Sequence, residues 1–569
     1  MESKKAKKRR YEYEIEWDSC SSDDTLRYTR HEVCDVSDSD TDEYESSESD
    51  EGESWSLSGE AREPFPTDSN LGKVNANIPF LDRNPETIFE YFFTQELTES
   101  IVLHTNIYAR KIFKKKKKKK IREETQKKLS KSLQWKETNC DEVKLFLALL
   151  ILQGIVKKPD MRLYFTKDKM LATPFFGEIM TRDRFVDLLR FMHFTIDSEQ
   201  SRNEYDYHFF QFLPLLNHLK EKWQEIYTPE RDISIDESLL LWKGRGVVWR
   251  TYIPRKRARM GVKSYLLCES STGYVYDMMI YTGESTLLSN KVKDLDLKGF
   301  NKTSRVVLTL MESLLDKGHR LFLDNYYSSP KLYDTLARYK TDVVGTVRMN
   351  RKDLPPGMKN KVLKPGEVCS WYRGRLMALK WHDKRDVCML STIHDGSMRS
   401  HKGRGRKTTM KPAAVLDYNK GMGGVDLADQ CISNYAIKKK RMKKFYIKMF
   451  LHLVEITVFN SYIIYTKYGA KTRRLNFMLN LVSNLIKKCA QSSNLERYKH
   501  SKTDLIRLSE RHFITYNPST ANFVRPYRRC FVCSRKKKRK GTMYRCAKCN
   551  VSLCAIPCFE KYHTKVQFY

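Results

Sequence analysis

The sequence predicts a multidomain α/β protein: a mixed sheet with helices around it, a disordered acidic N-terminal tail and a C-terminal zinc finger. Three observations lead there. Short strand-like segments alternate with helical ones between residues 229 and 348, the pattern of a mixed α/β sheet. Charge is segregated along the chain. Six of the 14 cysteines fall within residues 530–558, a density that points to a bound metal rather than to disulfides.

Taken in order, residues 1–10 contain the basic run KKAKKRR, and residues 11–60 then hold 18 acids and two arginines. That acidic stretch is rich in serine and poor in aliphatics, so it predicts disorder. It reads as a solvated tail, as a mimic of DNA or as a partner-binding tail. Residues 76–228 read as helices. The segment NPETIFEYFFTQELTESIVLHTNIYAR has apolar residues at helical spacing with Pro85 near its start, and TRDRFVDLLRFMHF follows a capping residue with an amphipathic pattern. Then DISIDESLLLW, KSYLLCES, YVYDMMIYTG, RLFLDNYYSS and DVVGTVRM read as five strands, rich in β-branched and aromatic residues and punctuated by turns. Helices precede and follow the fourth strand. Residues 349–411 are lysine- and turn-rich with strand-like pieces, the pattern of an inserted β subdomain. Helices return with GVDLADQCISNY and with the long run that ends in SYIIYTKY.

The formal net charge is +36, which implies a polyanionic partner, either nucleic acid or an acidic membrane surface. No apolar run reaches the length of a membrane span. The best, residues 143–156, has Lys144 near one end and reads as a buried helix. No signal peptide is legible, so a reducing compartment is expected. The runs KKAKKRR and FKKKKKKK resemble nuclear-localisation patches, and with a DNA partner they favour the nucleus.

Four acids stand out against this background. Asp236 lies in the first strand, Asp324 ends the fourth, and Asp426 and Asp429 sit where a helix begins after a glycine-rich turn. The last two are three residues apart and share a helix face. Any one of them could be an ordinary cap or turn residue. Together, acids at strand and helix ends can converge on one sheet edge, where they repel unless a cation lies between them. Oxygen donors suit Mg²⁺ or Mn²⁺. A pair of such ions about 3.5–4 Å apart can clamp both oxygens of a phosphodiester displacement. Basic residues flank these acids: Arg255, Lys256, Arg257 and Arg259; Arg348, Arg351 and Lys352; and Lys438, Lys439, Lys440 and Arg441, followed by Lys443 and Lys444. They suit contacts to DNA phosphates, which position rather than specify. Trp242, Trp371 and Trp381 read as core residues or as stacking platforms.

At the C-terminus, Cys530 and Cys533 form one Cys-x-x-Cys pair and Cys546 and Cys549 another, followed by Cys554, Cys558 and His563. These are soft ligands for tetrahedral zinc. Two interleaved ions need eight ligands, with His512 a candidate for the eighth; the alternative is one ion with spare cysteines. The basic run SRKKKRK between the pairs suits DNA, although such a finger can also serve a protein partner.

The segments SIDESLLLWKGR, YLLCESSTGYVYDM, LFLDNYYSS, VGTVRMNRK and LDYNKGMGGVDLADQ, with the cysteine-rich end, resemble a piggyBac-type transposase in order, spacing and flanking residues. The resemblance runs from about residue 80 to the C-terminus. It implies an RNase H-like catalytic domain with Asp236, Asp324 and Asp426 as its triad, Asp429 as an accessory acid, and Mg²⁺ or Mn²⁺ as cofactor. It also implies metal-dependent cut-and-paste transposition of double-stranded DNA through a hairpin intermediate at TTAA sites, by a homodimer. On this reading residues 1–75 are the tail, 76–228 a helical dimerisation and DNA-binding region, and 229–348 the first part of the catalytic domain. The β insertion is 349–411, the catalytic domain ends over 412–454, a second helical part spans 455–525, and the zinc-binding domain is 526–569. The alternative is a domesticated descendant that binds DNA without chemistry.

Overall fold

The computed structural model describes residues 54–75, 83–122, 135–195, 207–244, 246–254, 259–402, 408–437, 442–492, 511–520, 523–536 and 538–565. The acidic stretch up to residue 53, Arg255, Lys256, Arg257 and Lys438, Lys439, Lys440 and Arg441 lie outside them. The described residues fall into two compact units, one drawn from Met1–Lys157 and Leu188–Asn484, the other from Lys158–Asp187 and Leu485–Tyr569.

The first unit is built on a mixed sheet. Its labelled strands are β1 (Asp232–Leu241), β2 (Met260–Glu269), β3 (Val275–Ile280), β4 (Arg320–Leu323), β5 (Asp342–Thr346), β6 (Val368–Arg373), β7 (Leu376–His382) and β8 (Asp386–Ser391). Their spatial order is β3–β2–β1–β4–β5–β8–β7–β6. The pairs β2/β3 and β1/β2 are antiparallel, while β1/β4 and β4/β5 are parallel. Parallel neighbours need a crossover. Helix α6 (Pro330–Arg338) supplies the one between β4 and β5, started by the Ser329 hydroxyl on the Leu332 N–H and by Pro330 in its first turn. Helix α5 (Lys302–Met311), capped by Asn301, lies in the connection before β4.

The strands of residues 368–391, expected in an inserted β subdomain, do not form a sheet of their own. β8 pairs antiparallel with β5, Ser391 opposite Val344. One apolar core joins Phe322 and Val344 of the first part to Met377, Leu379 and Met389 of the later strands. Burying these side chains in a common core is the physical reason they extend the central sheet, since apolar burial is worth roughly 25 cal/mol per Å². Within the expected insertion, only the hairpin of Met398–Lys402 and Thr408–Pro412 stands apart as a two-stranded sheet among the described residues.

Helices α1 (Pro85–Phe92), α2 (Gln95–Arg122), α3 (Cys140–Ile155) and α4 (Leu213–Ile226) fill the first helical region. Asn84 and Asn139 cap α1 and α3 through their side-chain oxygens. The helices next after β8 are α7 (Ala413–Gly421), α8 (Gly424–Asn434) and α9 (Phe445–Lys467), with further helices beyond them. Helix α9 corrects the expectation about apolar runs. By length and composition it is apolar enough to cross a membrane, yet 94% of its apolar window is buried inside the protein. Its Asn460 side chain bonds both the N–H and the C=O of Val275, at 3.0 and 2.8 Å, which caps part of the free edge of β3.

Candidate catalytic site and metal-ligand clusters

The parallel pairing of β1 with β4 decides the site. Ile233 lies opposite Leu321 and Ile235 opposite Leu323. One residue further, each strand carries an aspartate, Asp236 and Asp324. Adjacent strands sit about 4.8 Å apart, so the register alone makes the two carboxylates neighbours. Among the described residues, Asp236, Glu237 and Asp324 form one group whose oxygens lie within 4.8 Å of one another. Sequence patterning does not predict Glu237 there. Side chains alternate along a strand, so an acid directly after Asp236 reads as pointing to the other face. The adjacency of the two acids was the one signal that would have raised it.

Burial and then the charge of Asp236 push the Asp324 carboxyl up from its ordinary 3.8 to about 6; the backbone N–H groups of Tyr326 and Tyr327 and the Arg348 guanidinium pull the other way. The Tyr326 N–H donates to Asp324 Oδ1 at 2.9 Å. Arg348 Nε donates to Asn325 Oδ1 at 3.3 Å, and Arg351 donates to the Tyr326 carbonyl at 2.6 Å. Of the predicted phosphate contacts, these two therefore also brace the turn that follows Asp324. Tyr327 is fully buried, and its hydroxyl has no hydrogen-bond partner among the described residues. Burial, Glu237, Tyr265 and the two aspartates push its phenol far above the ordinary range.

Helix α8 lies against the face of β1 that carries Ser234, Asp236 and Ser238. The glycines make that approach possible. A Cβ on Gly424 of α8 would come within 2.6 Å of Ser234 Oγ in β1; in the preceding α7, one on Gly421 would come within 2.2 Å of the Phe322 ring of β4. Further along, Ser238 Oγ donates to Asp429 Oδ1 at 2.7 Å. Asp429 is thus tied to the sheet. Asp426 sits in the first turn of α8, exposed and outside the 4.8 Å group.

The all-oxygen donor set fits a hard divalent cation such as Mg²⁺ or Mn²⁺ and not a soft one. The orphaned Tyr327 hydroxyl beside it marks a place where a bound ligand or water is wanted.

Trp242, Trp371 and Trp381 are buried and belong to the core. Lys444, read as a phosphate contact, donates to the Arg190 carbonyl at 2.7 Å and to the Tyr446 hydroxyl at 3.1 Å. Arg259 is exposed, with its backbone in the left-handed region at φ 49°.

In the second unit, two four-residue groups form, Cys530, Cys533, Cys554 and Cys558, and His512, Cys546, Cys549 and His563. The groups interleave along the chain. Every ligand named from the sequence is used, and His512 completes the eight, its Nδ1 lying 3.4 Å from both Cys546 Sγ and Cys549 Sγ. Burial and the nearby Cys530 push the Cys554 thiol up to about 11, a penalty that a divalent cation removes by binding the thiolates. Nitrogen and sulfur donors in fours fit tetrahedral zinc.

Comparison with known proteins now bears on both sites. A family model described as Transposase IS4 matches residues 84–462, and one described as a DDE_Tnp_1-like zinc finger matches residues 509–564. PiggyBac transposable element-derived protein 3 of Homo sapiens is 25% identical over 510 residues, covering 85% of this chain and 77% of that protein. This chain belongs to the piggyBac transposase family. PiggyBac transposable element-derived protein 2 of Homo sapiens is 25% identical over 375 residues, 63% of this chain and 58% of that protein. A solved structure, a piggyBac transposase synaptic complex with hairpin DNA, is 25% identical with a TM-score of 0.61, and the match covers 84% of this chain and 97% of that one. The acid group of this piggyBac-family chain falls inside the transposase match, and the four-cysteine and Cys/His groups both fall inside the zinc-finger match.

Proposed function

We propose that this chain is a DNA transposase of the piggyBac type, cleaving and joining DNA by cut-and-paste at TTAA sites. The observation that carries the reading is the pairing of Asp236 and Asp324 at the end of two parallel strands, with their carboxylates in one 4.8 Å group. The strand order β3–β2–β1–β4–β5, antiparallel and then parallel, supports an RNase H-like catalytic domain. Asp426 is the third member of the triad. Its helix is held on the sheet at Gly424 over Ser234 and at Asp429 on Ser238, and Asp236 lies between those two points of β1.

The chain's own residues divide the work. Asp236 and Asp324 hold the cation and set its position relative to the scissile phosphate. Mg²⁺ or Mn²⁺ bound there supplies charge for the attacking and leaving oxygens. Arg348, Arg351 and Lys352 follow β5 beside the acid group and hold DNA phosphates, as do Arg255, Lys256, Arg257, Arg259 and Lys438, Lys439, Lys440 and Arg441. The C-terminal unit binds zinc through its two groups of four and presents a basic loop to the DNA ends. A TA-containing target suits this chemistry because TA steps unstack readily. The assembly is a homodimer, since two element ends must be joined, and it acts in the nucleus.

Excision and integration of a plasmid-borne element between matched terminal repeats tests the reading, with Asp324→Ala as the control. Activity in the wild type and none in the variant is expected. The names of the two human relatives, transposable element-derived proteins, favour one competing reading, a domesticated DNA-binding protein without chemistry. An inert wild type that still binds DNA would decide for it.

A further inference from the structure

We propose that Glu237 is a ligand of the cation held by Asp236 and Asp324, and that the buried Tyr327 hydroxyl holds a water on that cation. The inference rests on the carboxylate–metal reading above and adds two residues to it.

Glu237 belongs to the acid group by distance, its carboxylate within 4.8 Å of those of Asp236 and Asp324. Strand alternation alone does not bring it there. The Glu237 N–H donates to Asp236 Oδ1 at 2.7 Å, which turns the Asp236 carboxylate back along the strand toward Glu237. Three carboxyl groups thus lie within 4.8 Å of one another, and clustered carboxylates repel. The arrangement makes sense with a divalent cation among them.

Tyr327 is the second and independent observation. Its hydroxyl is a strong donor, buried, and without a partner among the described residues. Leaving a buried polar group unpaired is costly, so it persists where something else satisfies it. The ring is fixed from both sides, 6.2 Å from Tyr265 and 5.0 Å from Tyr326 between centroids, and the Tyr327 N–H bonds the Asp324 carbonyl at 3.3 Å. The charges of Glu237, Asp324 and Asp236 all act on the Tyr327 phenol. Bound Mg²⁺ keeps several waters, and a phenol in this position is suited to hold one of them.

A structural role for Glu237 competes with this. Glu237 lies opposite Tyr265 in β2, and two residues along on the same face the Lys263 ammonium rests over the rings of Tyr265, Tyr281 and Tyr326, 4.7–5.2 Å from their centroids. On that reading Glu237 only balances a buried lysine.

Mn²⁺ binding to the full chain separates the two, read by titration calorimetry and by water-proton relaxation of bound Mn²⁺. Glu237→Gln is expected to weaken Mn²⁺ binding roughly 10–100-fold, and Glu237→Asp to weaken it less. Tyr327→Phe is expected to leave the affinity within about threefold and to change the relaxation enhancement, because the water it held exchanges freely. A Glu237→Gln chain that binds Mn²⁺ as tightly as the wild type overturns the ligand assignment, as does a Glu237→Asp chain with wild-type affinity if Glu237→Gln does not fold. Unchanged relaxation in Tyr327→Phe overturns the role of the hydroxyl. Asp324→Asn distinguishes the levels. If it too binds Mn²⁺ normally, the carboxylate–metal reading itself has failed.

Discussion

The acid group of the central sheet and the two cysteine-rich ligand groups near the C-terminus differ in what holds them. Asp236 and Asp324 are delivered by β1 and β4, whose backbones are already paired and whose flanking residues Ile233, Ile235, Leu321 and Leu323 are fully buried. The sheet places those carboxylates whether or not a cation is present. In the C-terminal unit the ligands are the core: Cys530, Cys546, Cys554 and Cys558 are buried beside little more than Val532, Leu553 and Tyr562. A region that small cannot bury enough apolar surface to order itself. On the proposed reading the first site tolerates an empty state at an electrostatic cost, whereas the second depends on bound ions for its fold.

The largest effect expected from this contrast is therefore on metal removal. A strong zinc chelator applied to the full chain should abolish protection of residues 511–565 in hydrogen exchange, while the strands of the central sheet stay protected. Structural zinc is worth on the order of 10 kcal/mol. The untreated chain should carry two zinc ions, and His512→Ala one. Continued protection of the C-terminal segment after complete loss of zinc would break the comparison.

Next in size is the chemistry of the acid group. Asp236→Ala should lower DNA nicking in Mg²⁺ or Mn²⁺ by on the order of 10³-fold or more, the equivalent of several kcal/mol of charge stabilisation. The fold should remain, because the neighbours of Asp236 in β1, and not Asp236, pack the core. A variant that nicks DNA at the wild-type rate would remove Asp236 from the site.

The electrostatic cost of the empty acid group gives a smaller, pH-dependent prediction. The Asp324 carboxyl is raised from 3.8 to about 6, so the folded state holds its proton more tightly than the unfolded chain does. Below about pH 4 that proton favours folding. The advantage is lost as pH rises from about 4 to 6, and above 6 the buried anion destabilises the metal-free fold in full. Asp324→Asn removes the titration. In the absence of divalent cations it should be more stable than the wild type above pH 6, by on the order of 1–3 kcal/mol, and the difference should fade toward pH 4. Added Mg²⁺ should stabilise the wild type alone and narrow the gap. Denaturant melts at pH 4, 6 and 8 check this; an equal gap at all three would be against it.

The same contrast governs what was legible in the sequence. The family resemblance rests on local motifs and holds throughout the matched regions. Strand ends carrying Asp236 and Asp324 were legible because an acid that closes an apolar run such as LFLD is costly to bury unless a cation or a partner offsets its charge. The cysteines were legible by spacing alone, and His512 only as a remainder in the count, because it lies well before the first pair. What strand alternation hid was Glu237, whose carboxylate reaches within 4.8 Å of those of Asp236 and Asp324 although successive strand residues point to opposite faces. The span-like character of α9 was also missed, since buried polar residues such as Lys448, His452, Glu455 and Asn460 interrupt the run that the eye follows. The extension of the sheet by β6–β8 needs pairing over long range, β8 to β5, which no local pattern encodes.

The smallest effect tests how Asp426 reaches the site. Helix α8 carries Asp426 at an exposed position and is fastened to β1 by the Ser238 hydroxyl on Asp429. A hydrogen bond to a charged group contributes about 1.5–3 kcal/mol at most, and less when the acid keeps access to water, as the half-exposed Asp429 does. Ser238→Ala should therefore cost about 1 kcal/mol of stability in a denaturant melt. If α8 only covers the sheet, nothing more follows. If Asp426 serves the cation together with Asp236 and Asp324, a loosened helix misplaces it, and displacements of this kind cost far more in rate than in stability. DNA nicking by Ser238→Ala should then fall by roughly 10–100-fold, with DNA affinity unchanged and partial recovery in Ser238→Thr, which keeps the hydroxyl. A loss of stability without any loss of rate would leave the helix as cover and confine the cation to the residues the sheet itself supplies.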